Sequence, residues 1–235
     1  MIPSSPRRTW ALLLVIVLLL WLPSLLTPDA LEEQPTYLLA NTLYQCALVV
    51  VLFWFGPALS NAMVLSEPCD GAARQTLDQA SADLEGRPGL ATRLPVTLFE
   101  HFQPFILTAG LLPQHCRIYV STTLVEEIGP AGLRFTLARA HLHGGWGHRL
   151  VAFVPVLLLT AFFPDLSDWR GWLVLAPLLA IWLALHWWIE LQTDRQVARI
   201  LGADAAEGLR ETLAAPVPGA FLQPPPNWRA RAIQV

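Results

Sequence analysis

The sequence contains no lysine, and charged residues make up only 14% of its 235 residues, against 54% that are hydrophobic. With a mean hydropathy of +0.46, the chain is too apolar for a soluble domain of this size and is predicted to be an integral membrane protein. The formal net charge is -3, so no broad basic surface is available to bind phosphate backbones. We expect membrane lipid and a membrane-protein partner, and no nucleic acid.

Cysteine is also scarce. Cys46, Cys69 and Cys116 lie in an apolar run, in a loop and at the start of a predicted strand, without a C-x-x-C pair. An odd number of cysteines at these spacings excludes a disulfide framework and a cysteine-based zinc site.

Four apolar runs predict about four membrane-embedded helices, at 10–26, 37–59, 150–163 and 171–189. A helix needs about 20 residues to cross about 30 Å of hydrocarbon. The first run is longer than the apolar core of a signal peptide and no cleavage site follows it, so we expect an uncleaved span. The third run is short, and it either recruits 144–148 into its helix or enters the bilayer only partly. With the fourth run it forms a predicted transmembrane or re-entrant hairpin.

The positions of the arginines predict the topology, because basic residues are enriched in cytoplasmic segments near spans. Arg7, Arg8, the 60–149 segment and the chain after 190 hold all the arginines except Arg170. Both termini and the central domain are therefore expected in the cytoplasm, with the protein in a membrane that we take to be the bacterial inner membrane.

The central segment predicts a small α+β domain. Residues 69–85 have roughly helical spacing, and 94–99 and 117–122 are rich in the β-branched and aromatic residues typical of strands. Pro130 suits the first turn of a further helix, whose apolar pattern continues to Gly144.

The order of these elements resembles the HtpX-like membrane zinc metalloproteases, gluzincin-type relatives of the CAAX prenyl proteases. The likeness is carried by RIYVS at 117–121 with Leu124, by LARAHLH at 137–143 and by ELQTDRQVA at 190–198. In that family a strand leads into a helix reading LAHExxH, a transmembrane hairpin follows, and a helix reading ExxADxxA supplies the third zinc ligand. The likeness covers roughly residues 60–202 and the two preceding spans.

The resemblance implies an α+β membrane protein in which a zincin-like cytoplasmic domain lies between membrane helices. Its expected parts are two transmembrane helices, a cytoplasmic domain with a degenerate active-site helix at 130–148, a hairpin, a cytoplasmic helix with an ExxxD motif, and a proline-rich tail. Their boundaries are 1–60, 61–149, 150–189, 190–213 and 214–235. The prolines of the tail predict an extended segment.

The family's chemistry requires two histidines one helical turn apart as zinc ligands, and a glutamate beside the first to deprotonate the bound water. The matching positions are Arg139, Ala140 and His143. An arginine stays protonated and an alanine has no proton acceptor. His143 and Glu190 are thus remnant ligand positions, while Arg139, Ala140 and Asp194 are expected to be structural. No catalytic residue and no cofactor are expected.

Two hypotheses follow for the site. If Arg139 faces the former metal position, its guanidinium should pair with Glu190 and replace the positive charge of zinc. Alternatively, His186 lies one turn before Glu190 on the same helix face, so that His143, His186 and Glu190 could hold zinc. His141 and His148 are expected not to converge with His143, because a straight helix turns them away.

The sequence leaves three functions open. The first is a catalytically degenerate HtpX-like protein that acts through binding, as a regulatory or accessory subunit of a membrane complex. The second is an active membrane zinc metalloendopeptidase with a rearranged ligand set. The third is a purely structural membrane subunit unrelated to proteases, which would be favoured if 130–148 and 190–200 lay far apart.

Overall fold

The computed structural model describes residues 6–28, 34–63, 71–90, 94–162, 169–215 and 222–234. Its ten helices within these ranges are α1 (Pro6–Leu26), α2 (Pro35–Trp54), α3 (Gly56–Met63), α4 (Ala72–Asp83), α5 (Thr122–Glu127), α6 (Pro130–His143), α7 (Trp146–Phe162), α8 (Trp169–Leu201), α9 (Asp204–Ala214) and α10 (Pro226–Ala232). Three strands, β1 (Val96–Phe99), β2 (Ile106–Ala109) and β3 (Arg117–Ser121), form one sheet. Cys69, Pro216 and Pro218 lie outside the described residues.

Among the described residues, two helices are long and apolar enough to cross a membrane, α2 and α8. A third span results if α6 and α7 are counted together, although the chain bends by 70° between them. The apolar part of α1, Trp10–Leu26, is shorter than a full span by this measure. A membrane protein is therefore supported, with two or three helices that could span the bilayer, and the prediction of about four is not confirmed within the described residues.

The sheet has β3 in the centre, parallel to β1 and antiparallel to β2. Ile118, Tyr119 and Val120 of β3 are completely buried, because the strand is covered on both faces. The strands at 94–99 and 117–122 were predicted within about two residues. The strand β2 was not predicted, and with only four residues it is too short to give an alternating pattern.

Helix α6 lies against the sheet and is the most buried helix of the domain. It begins at Pro130, as predicted, and eight of its 14 residues are buried. Glu211 of α9 accepts a hydrogen bond from the backbone nitrogen of Gly132 at 2.6 Å. A carboxylate there satisfies one of the free N–H groups of the first turn and complements the positive end of the helix dipole.

Two segments differ from the prediction. The expected cytoplasmic helix at 190–213 is in fact the end of α8, which runs through Glu190 without a break to Leu201, followed by a turn at Gly202 and by α9. The tail at 214–235 is not extended throughout, since α10 forms at Pro226–Ala232. Pro226 lies in the first turn of α10, where proline favours a helix rather than breaking it.

Candidate functional site

The site forms where α6 meets the last third of α8. Helix α8 has 33 residues and is therefore about 50 Å long, which is more than a bilayer core requires. Its final turns consequently extend into the small domain and pack against α6 and α10. Glu190, Thr193 and Asp194 are all buried on the side of α8 that faces these helices.

Arg139 and Glu190 form the predicted ion pair. Both side chains are 7% exposed, and Nη2 of Arg139 donates a hydrogen bond to Oε2 of Glu190. Nε of Arg139 also lies 3.1 Å from Oδ1 of Asp194, within ion-pair distance but without hydrogen-bond alignment. The two segments that the resemblance required to be close are therefore in direct contact.

Asp194 is shared between two arginines. On its other side, Nε of Arg229 donates to Oδ2 at 2.7 Å and Nη2 donates to Oδ1 at 3.2 Å. Nη1 of Arg229 donates to the side-chain oxygen of Gln223 at 2.7 Å. Arg229 is only 1% exposed, so α10 inserts a fully buried cation beside α8.

The charges of this network balance. Two guanidinium groups, of Arg139 and Arg229, face two carboxylates, of Glu190 and Asp194. Burial lowers the pKa of Arg229, and the neighbouring charge of Arg139 lowers it further, while its bonds to Asp194 raise it. Arginine remains charged at neutral pH under such opposing effects. The cluster is thus a neutral set of four charges, which is the arrangement that makes burial tolerable.

His143 lies at the edge of the network. Its Nε2 atom is 3.3 Å from Oε1 of Glu190, and it makes no aligned hydrogen bond within the part of the chain that the structure describes. Ala140, which the resemblance aligns with the general base of HtpX-like proteases, is 4% exposed. Its methyl group offers nothing that could deprotonate a water molecule.

His148 contradicts the prediction that it lies away from His143. The two rings are 4.6 Å apart between centroids, because the chain bends by 70° after α6 and α7 returns the side chain to the site. Nε2 of His148 also lies 2.6 Å from the hydroxyl oxygen of Thr193. The prediction for His148 was wrong because it assumed that α6 continues as a straight helix beyond His143.

Arg149 holds this bend. It donates from Nε to the carbonyl of His143 at 2.7 Å and from Nη1 to the carbonyl of Thr108 at 2.7 Å. The end of α6, the start of α7 and the strand β2 are therefore tied together by one side chain, which fixes the position of His148.

His186 and His141 differ from each other in their surroundings. His186 stacks on Trp182, with ring centroids 5.4 Å apart, and lines a cavity of about 290 Å³ together with His143, His148 and Glu190. His141 points elsewhere, as predicted, and its Nδ1 accepts a hydrogen bond from the backbone nitrogen of Leu94 at 3.3 Å.

The residues present do not fit the family's zinc chemistry. The first ligand position is filled by the guanidinium of Arg139, which occupies one oxygen of Glu190. A different set is close, because potential ligand atoms of His143, His148 and Glu190 lie within 4.8 Å of one another. This set includes His148 in the place where His186 was expected.

A second cavity, of about 180 Å³, lies beside Arg139. Its polar lining comes from β2, α6, α9 and the C-terminal segment, namely Thr108, Thr136, Arg139, His143, Thr212, Gln223 and Arg229. No aspartate or glutamate among the described residues lines it. Glu190 and Asp194, the carboxylates that pair with the two arginines, are not part of the described cavity wall.

Sequence reasoning missed Arg229. The proline run before it was interpreted only as a helix breaker, although a proline followed by NWRARA is also typical of a helix start. The spacing of Arg229 and Asp194, 35 residues apart, gives no local signal for their contact.

No protein-family model, no curated protein and no solved structure matches this chain. Conclusions about its function therefore depend on the contacts described above.

Proposed function

We propose that this protein is a catalytically degenerate HtpX-like metalloprotease homologue that acts through binding, as a regulatory or accessory subunit of a membrane complex. One observation carries the proposal: the guanidinium of Arg139 contacts Glu190 at the position where the family would hold its zinc ion. A protease site that has exchanged its metal for a fixed organic cation keeps its charge balance and loses its Lewis acid.

The loss of the base supports the same proposal. A positioned general base contributes typically about 10²–10⁴-fold to a rate, and Ala140 removes that contribution. The resemblance aligns the family's glutamate with Ala140, and none of the three histidines around Glu190 occupies that position beside Arg139. We therefore expect binding without peptide hydrolysis.

The proposed location is the bacterial inner membrane, with both termini and the small domain in the cytoplasm. The distribution of arginines supports this orientation. In this orientation the site lies at the cytoplasmic end of α8, where a cytoplasmic segment of a membrane partner can reach it. A purely structural subunit unrelated to proteases would give no reason for α6 and α8 to bring these particular residues together.

The test is a comparison of the purified full chain with the double variant Arg139→His/Ala140→Glu, which restores both missing groups of the family motif. We expect the natural protein to leave casein intact and the double variant to bind zinc in a way that a further His143→Ala change abolishes. Casein cleavage by the natural protein, stopped by a chelator, would show that the proposal is wrong.

The second candidate is a zinc metalloendopeptidase with rearranged ligands, and the closeness of His143, His148 and Glu190 favours it. Zinc content after purification without added metal tests it. Stoichiometric zinc that is lost in His148→Ala and kept in His186→Ala would support a site with these three ligands. The reverse pattern would favour the set with His186.

A further inference from the structure

The cavity beside Arg139 has a wall whose only permanent charges are positive. Arg139 and Arg229 both line it, and His143 adds an imidazole, while the described part of its wall contains no acidic side chain. Its volume of about 180 Å³ is slightly larger than that of an apolar cavity of about 150 Å³ that holds benzene. A group of this size is a small organic ion or one terminal residue of a peptide.

Arg139 has a donor left for such a group. Arg139 uses Nη2 for Glu190 and turns Nε toward Asp194, so its hydrogen bonds to described residues leave Nη1 available. The side chain of Arg139 is 93% buried, since 7% of it is exposed. A buried guanidinium with a free donor gains more from an anion than one in water does, because the local dielectric constant is low.

A carboxylate fits this wall better than a phosphate. Planar guanidinium groups bind both carboxylates and phosphates through N–H donors, so the charge of the ligand decides between the two. Because the four buried charges sum to zero, one carboxylate adds a single negative charge, whereas a doubly charged phosphate would add two. Thr136 and Gln223 add neutral polar groups to the same wall.

We propose that the cavity between α6, α9 and the C-terminal segment binds a small carboxylate, either as a free ion or as the C-terminal carboxylate of a peptide. This rests on the proposed function in one respect only, that the site binds a ligand; it does not depend on whether a bound peptide is cleaved. The cavity is lined by Arg139 and Arg229, whereas His148 and His186 line the neighbouring cavity, and the two cavities share His143 and Gln223.

The experiment measures the melting temperature of the full chain in detergent. The probes are sodium acetate, tetra-alanine with a free C-terminus and tetra-alanine amide, each compared with sodium chloride at the same ionic strength. A ligand of the folded state raises the melting temperature in a saturable way. We expect such a rise with acetate or with the free tetrapeptide, and none with the amide.

Comparison of acetate with the free tetrapeptide distinguishes a free carboxylate ion from the C-terminus of a peptide. A lower half-saturating concentration for the free tetrapeptide than for acetate identifies a peptide terminus, and equal or higher values identify a free ion. An equal rise with inorganic phosphate, or no saturable rise with any carboxylate, overturns the proposal.

A matched pair of variants locates the site. Leu213 lines the cavity and is 39% exposed, so that both Leu213→Glu and Leu213→Gln are compatible with folding. The added negative charge of Leu213→Glu should weaken carboxylate binding by about tenfold relative to Leu213→Gln. Equal affinity in the two variants would overturn the assignment to this cavity.

The same samples distinguish this inference from the proposed function. Mass spectrometry of the tetrapeptide after incubation shows whether it has been cut. Binding with cleavage would refute the proposed function and leave the carboxylate site in place. Absence of both binding and cleavage would refute the carboxylate site alone.

Discussion

Asp194 and Arg229 form a buried, two-pronged ion pair, with Nε and Oδ2 2.7 Å apart and Nη2 and Oδ1 3.2 Å apart. The two side chains are 0% and 1% exposed. Removing one partner of such a pair leaves the other charge buried and uncompensated, which costs about 3–5 kcal/mol. We expect Arg229→Gln to lower the free energy of unfolding by this amount, measured by thermal or denaturant unfolding in detergent.

Arg231→Gln is the matched control for Arg229→Gln. It removes the same charge from the same helix, but Arg231 is exposed, so its change should stay within about 0.5 kcal/mol. Equal effects of the two substitutions would mean that the contact with Asp194 contributes nothing to stability.

Replacement of Arg139 tests the other half of the network. Arg139→Ala leaves Glu190 buried without its cation and should lower the free energy of unfolding by about 3–5 kcal/mol. The yield of folded protein and its melting temperature should fall accordingly. The double variant Arg139→Met/Glu190→Leu should recover much of the loss, because apolar residues of similar volume often replace a buried pair without cost. An unchanged melting profile for Arg139→Ala would contradict the role of Arg139 as a substitute charge.

Close packing of α6 against α9 gives a third prediction. A Cβ atom at position 208 would lie 2.8 Å from the carbonyl oxygen of Ala131 and 2.8 Å from Cβ of Phe135. Neither atom can move without shifting its helix, so Gly208→Ala should destabilise the fold by about 1–3 kcal/mol. Gly147→Ala meets nothing within 4 Å and should be neutral or stabilising by up to about 1 kcal/mol. Unfolding measurements on both variants, with a loss only at 208, would identify the helix contact as the cause.

The carboxylate of Glu211 gives a fourth prediction. Because it accepts from the backbone of Gly132 at the start of α6, Glu211→Gln should cost about 0.3–1 kcal/mol, the range for a charge at a helix N-terminus. Glu100 is exposed and follows β1 outside any described helix. Glu100→Gln should therefore have a smaller effect on unfolding, and an equal or larger effect would argue against the interaction of Glu211 with α6.

The contact between Arg139 and Glu190 could be predicted because both residues lie in segments that the resemblance to HtpX-like proteases expects to be close together. The start of α6 at Pro130 was also predictable, since proline in the first turn is a local signal. These features depend on residues near one another in the chain or on the family resemblance.

His148, β2 and Arg229 could not be predicted for three different reasons. The position of His148 depends on a bend that Arg149 fixes through backbone carbonyls, and no periodicity encodes it. The strand β2 is defined by its partner β3 rather than by its own four residues. The contact of Arg229 depends on where α10 packs, which is a tertiary property.

The shared position of Asp194 also bears on how the chain is made. Its two arginines lie on opposite sides of it in the sequence, Arg139 in α6 and Arg229 in α10. Until α10 emerges from the ribosome, Asp194 near the end of α8 can pair with only one of its two arginines, Arg139. The domain can consequently reach its mature packing only after translation of α10, and an early stop codon would leave quality-control proteases with an incompletely closed target.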